Sequence, residues 1–127
     1  MDPASLATLD RQRYLNLATF RRNGRAVETP VWFALREGRL YVFTDGTSGK
    51  VKRLRANPRI RIAPCDVRGG LKGEWIEGTC RRVDQPTTVE AAYAALLRKY
   101  GLQMRILNFF SRLSGRIQQR AILELEV

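Results

Sequence analysis

A chain of 127 residues, 44% hydrophobic and 28% charged, suits one domain and is too balanced in composition for disorder. Its formal charge of +11, from 23 basic residues (19 of them arginine) against 12 acidic ones, attracts polyanions such as nucleic acid, anionic lipid or a phosphorylated, carboxylated ligand. A solvated arginine-rich surface gives the same balance. With no histidine, the chain excludes Ser-His-Asp and Cys-His catalysis, and Cys65 and Cys80 alone cannot complete a tetrahedral zinc site. No apolar run approaches the roughly 20 residues of a spanning helix. Met1-Asp2-Pro3-Ala4 lacks the basic start and apolar stretch of a secretory signal. A cytoplasmic location and two free thiols are therefore expected.

Asp2 caps a short helix with Pro3 at its first position, and Leu6 and Leu9 recur at helical spacing. Residues 14–20 read as a strand that ends at Arg21-Arg22-Asn23-Gly24, which contains the Asn-Gly hairpin signal. Residues 25–35 form a long second strand, and Arg36-Glu37-Gly38-Arg39 turns the chain into a third, residues 40–44. A loop of small residues, Asp45-Gly46-Thr47-Ser48-Gly49, leads into a helix over residues 50–56 that Asn57-Pro58 stops. Residues 59–66 alternate as a fourth strand, with Pro64 marking an edge or bulge. Residues 67–73 are a loop and residues 74–83 a fifth strand.

Thr87 and Glu90 make a capping box ahead of a helix over residues 88–100. Residues 102–113 are a second helical stretch, broken at Ser114-Gly115, and residues 120–127 alternate as a last strand. Six antiparallel strands on so short a chain predict a small barrel, because closure removes exposed edges.

The sharpest chemical signal is Thr44-Asp45-Gly46-Thr47-Ser48-Gly49-Lys50, a strand-to-helix loop. Ser48 can cap, Gly49 admits close approach, and the helix start offers free N–H groups beside the Lys50 charge, which together suit a phosphate. A capped surface helix with a solvated lysine fits the same residues, and the Walker A spacing is absent. In Thr29-Pro30-Val31-Trp32-Phe33, Pro30 cannot donate to a ladder, and Trp32 either flanks a planar ring or sits in the core. Arg61, Cys65, Arg68, Lys72, Arg81 and Arg82 either gather at strand ends around an anion or are ordinary strand positions.

Six segments occur in order: Tyr14-Leu15-Asn16-Leu17-Ala18-Thr19-Phe20, Thr29-Pro30-Val31-Trp32-Phe33-Ala34, Gly38-Arg39-Leu40-Tyr41-Val42-Phe43-Thr44, Ser48-Gly49-Lys50-Val51-Lys52-Arg53-Leu54, Asn57-Pro58-Arg59-Ile60 and Ala63-Pro64-Cys65-Asp66-Val67-Arg68-Gly69. As an ordered set they resemble the pyridoxamine 5'-phosphate oxidase-like superfamily, and within it the deazaflavin (coenzyme F-420)-dependent oxidoreductases. The resemblance implies a six-stranded antiparallel split β-barrel (the FMN-binding split barrel) that dimerises around its cofactor. It implies phosphate contacts from Thr44, Ser48, Gly49 and Lys50, helped by Lys52, Arg53 or Arg55. It sets the cofactor ring along Pro30, Val31 and Trp32.

The substrate-binding C-terminal segment of true pyridoxamine-phosphate oxidases is not recognisable, and the histidine on which haem-degrading relatives rely is missing. The resemblance thus implies a reductase passing hydride from reduced coenzyme F-420 to an electron-poor small molecule, with FMN as the near alternative. A non-catalytic cofactor carrier or a basic nucleic-acid-binding protein is the contrasting class, and against nucleic acid no helix-turn-helix, zinc finger or aromatic ribonucleoprotein motif is present. Candidate proton donors by chemical type alone are Tyr14, Tyr41, Cys65 and Asp66. Lys50 is expected to be solvated without ligand, and Lys99, on the later helix, is the control for simple loss of net charge.

Overall fold

The computed structural model describes residues 1–106 and 120–127. Helix α1 (Pro3–Asp10) precedes strands β1 (Tyr14–Phe20), β2 (Ala26–Val31), β3 (Phe33–Arg36) and β4 (Arg39–Asp45). Helix α2 (Gly49–Ala56), strands β5 (Arg59–Cys65) and β6 (Ile76–Val83), helix α3 (Pro86–Tyr100) and strand β7 (Arg120–Glu126) follow. All pairings are antiparallel, in the order β2-β1-β5-β6-β7-β4-β3. The two ends of that order, β2 and β3, are separated in the chain by Trp32 alone. The sheet therefore closes on itself through the backbone.

Among the described residues seven strands stand where the alternation pattern gives six, because the long second strand is broken at Trp32. Its first half pairs with β1 (Asn16 opposite Pro30) and its second with β4 (Phe33 opposite Val42). Pro30 has no N–H for a continuous ladder, and the chain changes partner just beyond it. At the β1–β2 turn Gly24 has φ +86°, with Arg21 N–H bonded to Arg25 O at 2.9 Å. At the β3–β4 turn Glu37 and Gly38 have φ of 49° and 77°, the double left-handed geometry of a two-residue hairpin.

Inward-facing Leu15, Leu17, Phe33, Leu40, Val42, Ile60, Ile62, Leu123 and Leu125 fill the barrel with no exposed surface. Leu6 and Leu9 of α1 join this cluster. Burying each contributes about 1.5–3 kcal/mol, which fixes α1 against the barrel. At the opposite end α2 packs on β1 and β6 and buries Val51 and Leu54. Helix α3 lies outside, its Ala92, Ala95, Leu96 and Tyr100 packing on Ala34, Tyr41 and Ile122. It starts earlier than the Thr87–Glu90 box, with Gln85 as a cap that makes no side-chain bond, because Pro86 presets the first turn. Strand β6 begins at Ile76 rather than residue 74. Residues 102–106 are helical; the rest of the expected stretch to residue 113, and the break at Ser114-Gly115, lie outside the described residues. Pro64 sits beyond the β5–β6 ladder, which stops at Ile62–Ile76; there Lys72 N–H donates to Pro64 O at 2.8 Å and Cys65 bridges Leu71, so the loop before β6 flanks that end of β5.

Tyr100 secures the strand break. Phe33 N–H donates to its hydroxyl at 2.9 Å, and that hydroxyl lies 3.0 Å from Phe33 O and 2.9 Å from Arg13 O. The Trp32 and Tyr100 rings stack at 4.6 Å and 9°. Beside them Asp10 accepts from Leu35 N–H at 3.0 Å and from Lys99 Nζ at 3.1 Å, and Lys99 Nζ lies 3.5 Å from the Phe33 ring centroid. Lys99 is thus a half-buried ion-pair partner, tied to Asp10. Removing only the hydroxyl in Tyr100→Phe leaves the buried Phe33 N–H unpaired, at a cost of about 1–3 kcal/mol. Urea unfolding of the variant is expected to show that loss; an unchanged midpoint would mean the hydroxyl is dispensable.

Candidate functional site

The first turn of α2 is the centre of the candidate site. Ser48 is its cap residue, but its side chain makes no capping bond, and its Oγ is buried with no partner among the described residues. The expected serine cap is therefore absent. The N–H groups of Gly49, Lys50 and Val51 are likewise unbonded among the described residues; the first one taken up is Lys52 N–H, by Ser48 O at 3.4 Å. The Arg53 side chain folds back over this turn. Its Nε donates to buried Thr19 Oγ1 at 2.7 Å, and a Cβ on Gly49 would meet its Nη1 at 2.8 Å. Glycine at 49 is what lets the guanidinium lie there.

Lys50 is half-buried, which corrects the expectation of a solvated side chain. Burial, reinforced by the Arg53 charge and opposed by Asp45, holds its pKa below the usual lysine range. Burial and the nearby Arg21 charge lower Arg53 in the same way. Two desolvated cations next to unpaired helix N–H groups form an electropositive cradle that a bound anion would stabilise.

Of the other residues implied by the resemblance, Thr44, Lys52 and Arg55 lie just before or on α2, whereas Pro30 and Val31 sit opposite Asn16 and Leu15, at the end of β1 away from Thr19. Thr44 is buried at the end of β4 and faces the barrel mouth. Lys52 and Arg55 are exposed on α2, with Arg55 turned toward β6 beside Pro58 and Cys80. Pro30 is exposed on the outer face of β2, whereas Val31 is buried inside the barrel and presents only its backbone outward. Trp32 is half-buried with one face on Tyr100, closer to a core tryptophan than to a free stacking platform.

Thr19 and Arg21 did not stand out in the sequence, yet both belong to the cradle. The signal for Thr19 lay in the alternation Leu15, Leu17, Thr19: a hydroxyl on an inward face at the barrel mouth demands a polar partner.

Of the candidate proton donors, Tyr41 and Asp66 are held by other groups. The Tyr41 hydroxyl is 2.9 Å from Glu124 Oε2, and burial raises its pKa. Cys65 is buried, with a raised pKa. Asp66 accepts from the Arg68 and Gly70 N–H groups at 2.9 and 2.8 Å and shapes its own loop. Tyr14 is half-buried at the start of β1. The six residues Arg61, Cys65, Arg68, Lys72, Arg81 and Arg82 do not form one cluster. Arg61 lies 5.4 Å from the Phe20 ring and 5.5 Å from the Trp75 ring, while Arg81 and Arg82 pair with Glu124 and Asp84 at 3.1 and 3.5 Å. Both thiols are free. No helix among the described residues is long and apolar enough to cross a membrane.

A closed antiparallel barrel with a strand broken at its rim and a helix plugging one mouth defines a split-barrel protein. The family model described as pyridoxamine 5'-phosphate oxidase matches residues 1–127, and the chain belongs to that family. A comparison with curated proteins gives no match. Among solved structures, a conserved hypothetical protein from Mycobacterium tuberculosis is 22% identical with a TM-score of 0.72, over 98% of this chain and 79% of that one. The heme storage protein HutZ from Vibrio cholerae is 15% identical with a TM-score of 0.70, over 98% and 88%. A NimC/NimA family protein from Clostridium acetobutylicum is 22% identical with a TM-score of 0.63, over 95% and 76%. At these identities the likeness is one of fold.

Proposed function

We propose that the chain is a cytoplasmic oxidoreductase that binds a phosphorylated flavin-type cofactor, coenzyme F-420 in the first instance, and reduces an electron-poor small molecule. The observation that carries this reading is the cradle at the start of α2: unpaired N–H groups, the buried Ser48 hydroxyl, and the desolvated Lys50 and Arg53 charges. That donor set fits a phosphate. When bound, the cofactor supplies the redox chemistry. Gly49, Lys50 and Arg53 hold its phosphate, with Ser48 and Thr44 beside them and Lys52 at the rim. Pro30, the Val31 backbone and the edge of Trp32 set the plane of its ring. The Tyr100 hydroxyl and the Asp10–Lys99 pair fix the strand break, so the ring-bearing segment is rigid before binding. The +11 charge favours F-420, whose phosphate and glutamate tail is polyanionic, over FMN, which would use the same cradle.

The reading includes a homodimer. Helix α3 covers the outer face of β3, β4 and β7, but the outer face of β1 and β5 carries no helix among the described residues. There Ala18 and Ala63 are small, and Asn16 is 4% exposed with its Oδ1 unpartnered among the described residues. These residues are already enclosed by their own chain, Asn16 Nδ2 donating to Gly69 O at 3.2 Å, so the dimer rests on the resemblance, which puts the cofactor between two copies. Sedimentation equilibrium is expected to give twice the chain mass at low micromolar concentration; a monomer there would remove the dimer from the account. The cofactor is tested by equilibrium binding of F-420 and FMN side by side. Tighter binding of F-420 supports the deazaflavin, tighter binding of FMN reassigns the cofactor, and retention of neither refutes the oxidoreductase.

A further inference from the structure

Helix α2 separates two basic regions. Lys50 and Arg53 belong to the β1 side, where Arg53 meets Thr19. The β6 side holds a cleft of about 240 Å³ that the proposed cofactor site does not use. Its floor is apolar: Val51 and Leu54 from α2, Cys80 from β6 and Leu123 from β7, all buried. Its rim carries Arg55, Arg81 and Arg82 and no carboxylate. An adjoining cleft of about 230 Å³ shares Pro58, Cys80 and Arg81 and runs on to Glu124 and Glu126.

We infer that the cleft between α2 and β6 is a second ligand site, for a small organic anion: a carboxylate on a compact apolar body. Two of the rim cations are already balanced, Arg81 by Glu124 at 3.1 Å and Arg82 by Asp84 at 3.5 Å. Arg55 is exposed with no ion-pair partner among the described residues, so the rim keeps a net positive charge. A guanidinium presents paired N–H donors that match the two oxygens of a carboxylate. The floor offers no charged group and no redox role, since burial pushes the Cys80 thiol up to about 12 and keeps it protonated. An inorganic ion would leave this apolar floor wet, whereas a ligand with a hydrocarbon body would dry it. A fully apolar ligand would leave the arginine rim unsatisfied. The charge at one end and the apolar surface at the other thus select the amphipathic anion.

The test uses the full chain and two probes of equal shape, 2-naphthoate and the neutral 2-naphthamide, measured by equilibrium dialysis. Naphthoate is expected to bind about tenfold or more tightly than naphthamide, the size of one charge-assisted contact. The double variant Arg55→Gln/Arg82→Gln, altered only at the rim, is expected to lose that advantage. Lys50→Ala, on the other side of α2, is expected to keep it. Equal binding of the two probes, or no binding of either, overturns the site. So does a loss in Lys50→Ala without one in the double variant, which would move the anion to the cradle on the β1 side.

Discussion

Stability is expected to fall steeply between pH 9 and 12. Burial raises the Cys80 thiol from 9.0 to about 12 and the Tyr100 hydroxyl from 10.0 to about 12. Each folded pKa lies above its unfolded value, so the folded chain holds these protons after the unfolded chain has released them. Their contribution is complete below pH 9 and is lost as pH climbs toward 12. Each group costs about 1.4 kcal/mol per pH unit within its window, so the pair removes about 4 kcal/mol by pH 11. Tyr41, Tyr93 and Cys65 are shifted in the same direction, also by burial. Lys50 and Lys99 act the other way: burial lowers both, so the folded chain gives up those protons first and recovers part of the loss. Urea unfolding at pH 8, 9, 10 and 11 measures the slope. Cys80→Ala, which keeps a small apolar side chain, is expected to flatten it by nearly one proton. A stability curve level from pH 8 to 11 would mean that these groups titrate alike in both states.

Lys50→Ala is expected to weaken cofactor binding by about ten- to a hundredfold. A charge-assisted contact is worth about 1.5–3 kcal/mol net, at about 1.4 kcal/mol per tenfold change. Without cofactor the variant is expected to be as stable as the parent or slightly more so, because the Lys50 ammonium is desolvated beside Arg53. The charge control is Arg11→Ala, an exposed residue at the C-terminal cap of α1, at the other end of the barrel. Lys99 cannot serve, since its ion pair with Asp10 holds α3 against the strand break. Equal losses in Lys50→Ala and Arg11→Ala would reduce the effect to long-range charge, which salt screens. A loss confined to Lys50→Ala and persisting at high salt supports the local contact.

The barrel was legible because strand alternation, two hairpin turns and the α2 stop at Asn57-Pro58 are local signals that tertiary packing did not override. The turn at Arg21-Arg22-Asn23-Gly24 and the strand 14–20 stand where the pattern put them. The break at Trp32 was only half visible: Pro30 announced a disturbed ladder, but the exchange of partner from β1 to β4 depends on residues far apart in the chain. The same distance hid the role of Lys99. A lysine at the end of an amphipathic helix reads as solvated, and only the fold brings Asp10, 89 residues away, to meet it. At the cradle, Ser48, Gly49 and Lys50 were readable as a strand-to-helix loop, while the inward turn of Arg53 onto Thr19 was not, since nothing local distinguishes it from Lys52 or Arg55.

The central claim is that the first turn of α2 holds the cofactor by its phosphate, and one ratio tests it most directly. FMN and riboflavin share a ring and differ in the phosphate, so the ratio of their affinities isolates that contact; F-420 and its phosphate-free deazariboflavin analogue give the same comparison. The ratio is expected to be large in the parent and to fall by about ten- to a hundredfold in Lys50→Ala, while the affinity for riboflavin stays constant. A ratio unchanged by Lys50→Ala would place the phosphate elsewhere and contradict the account.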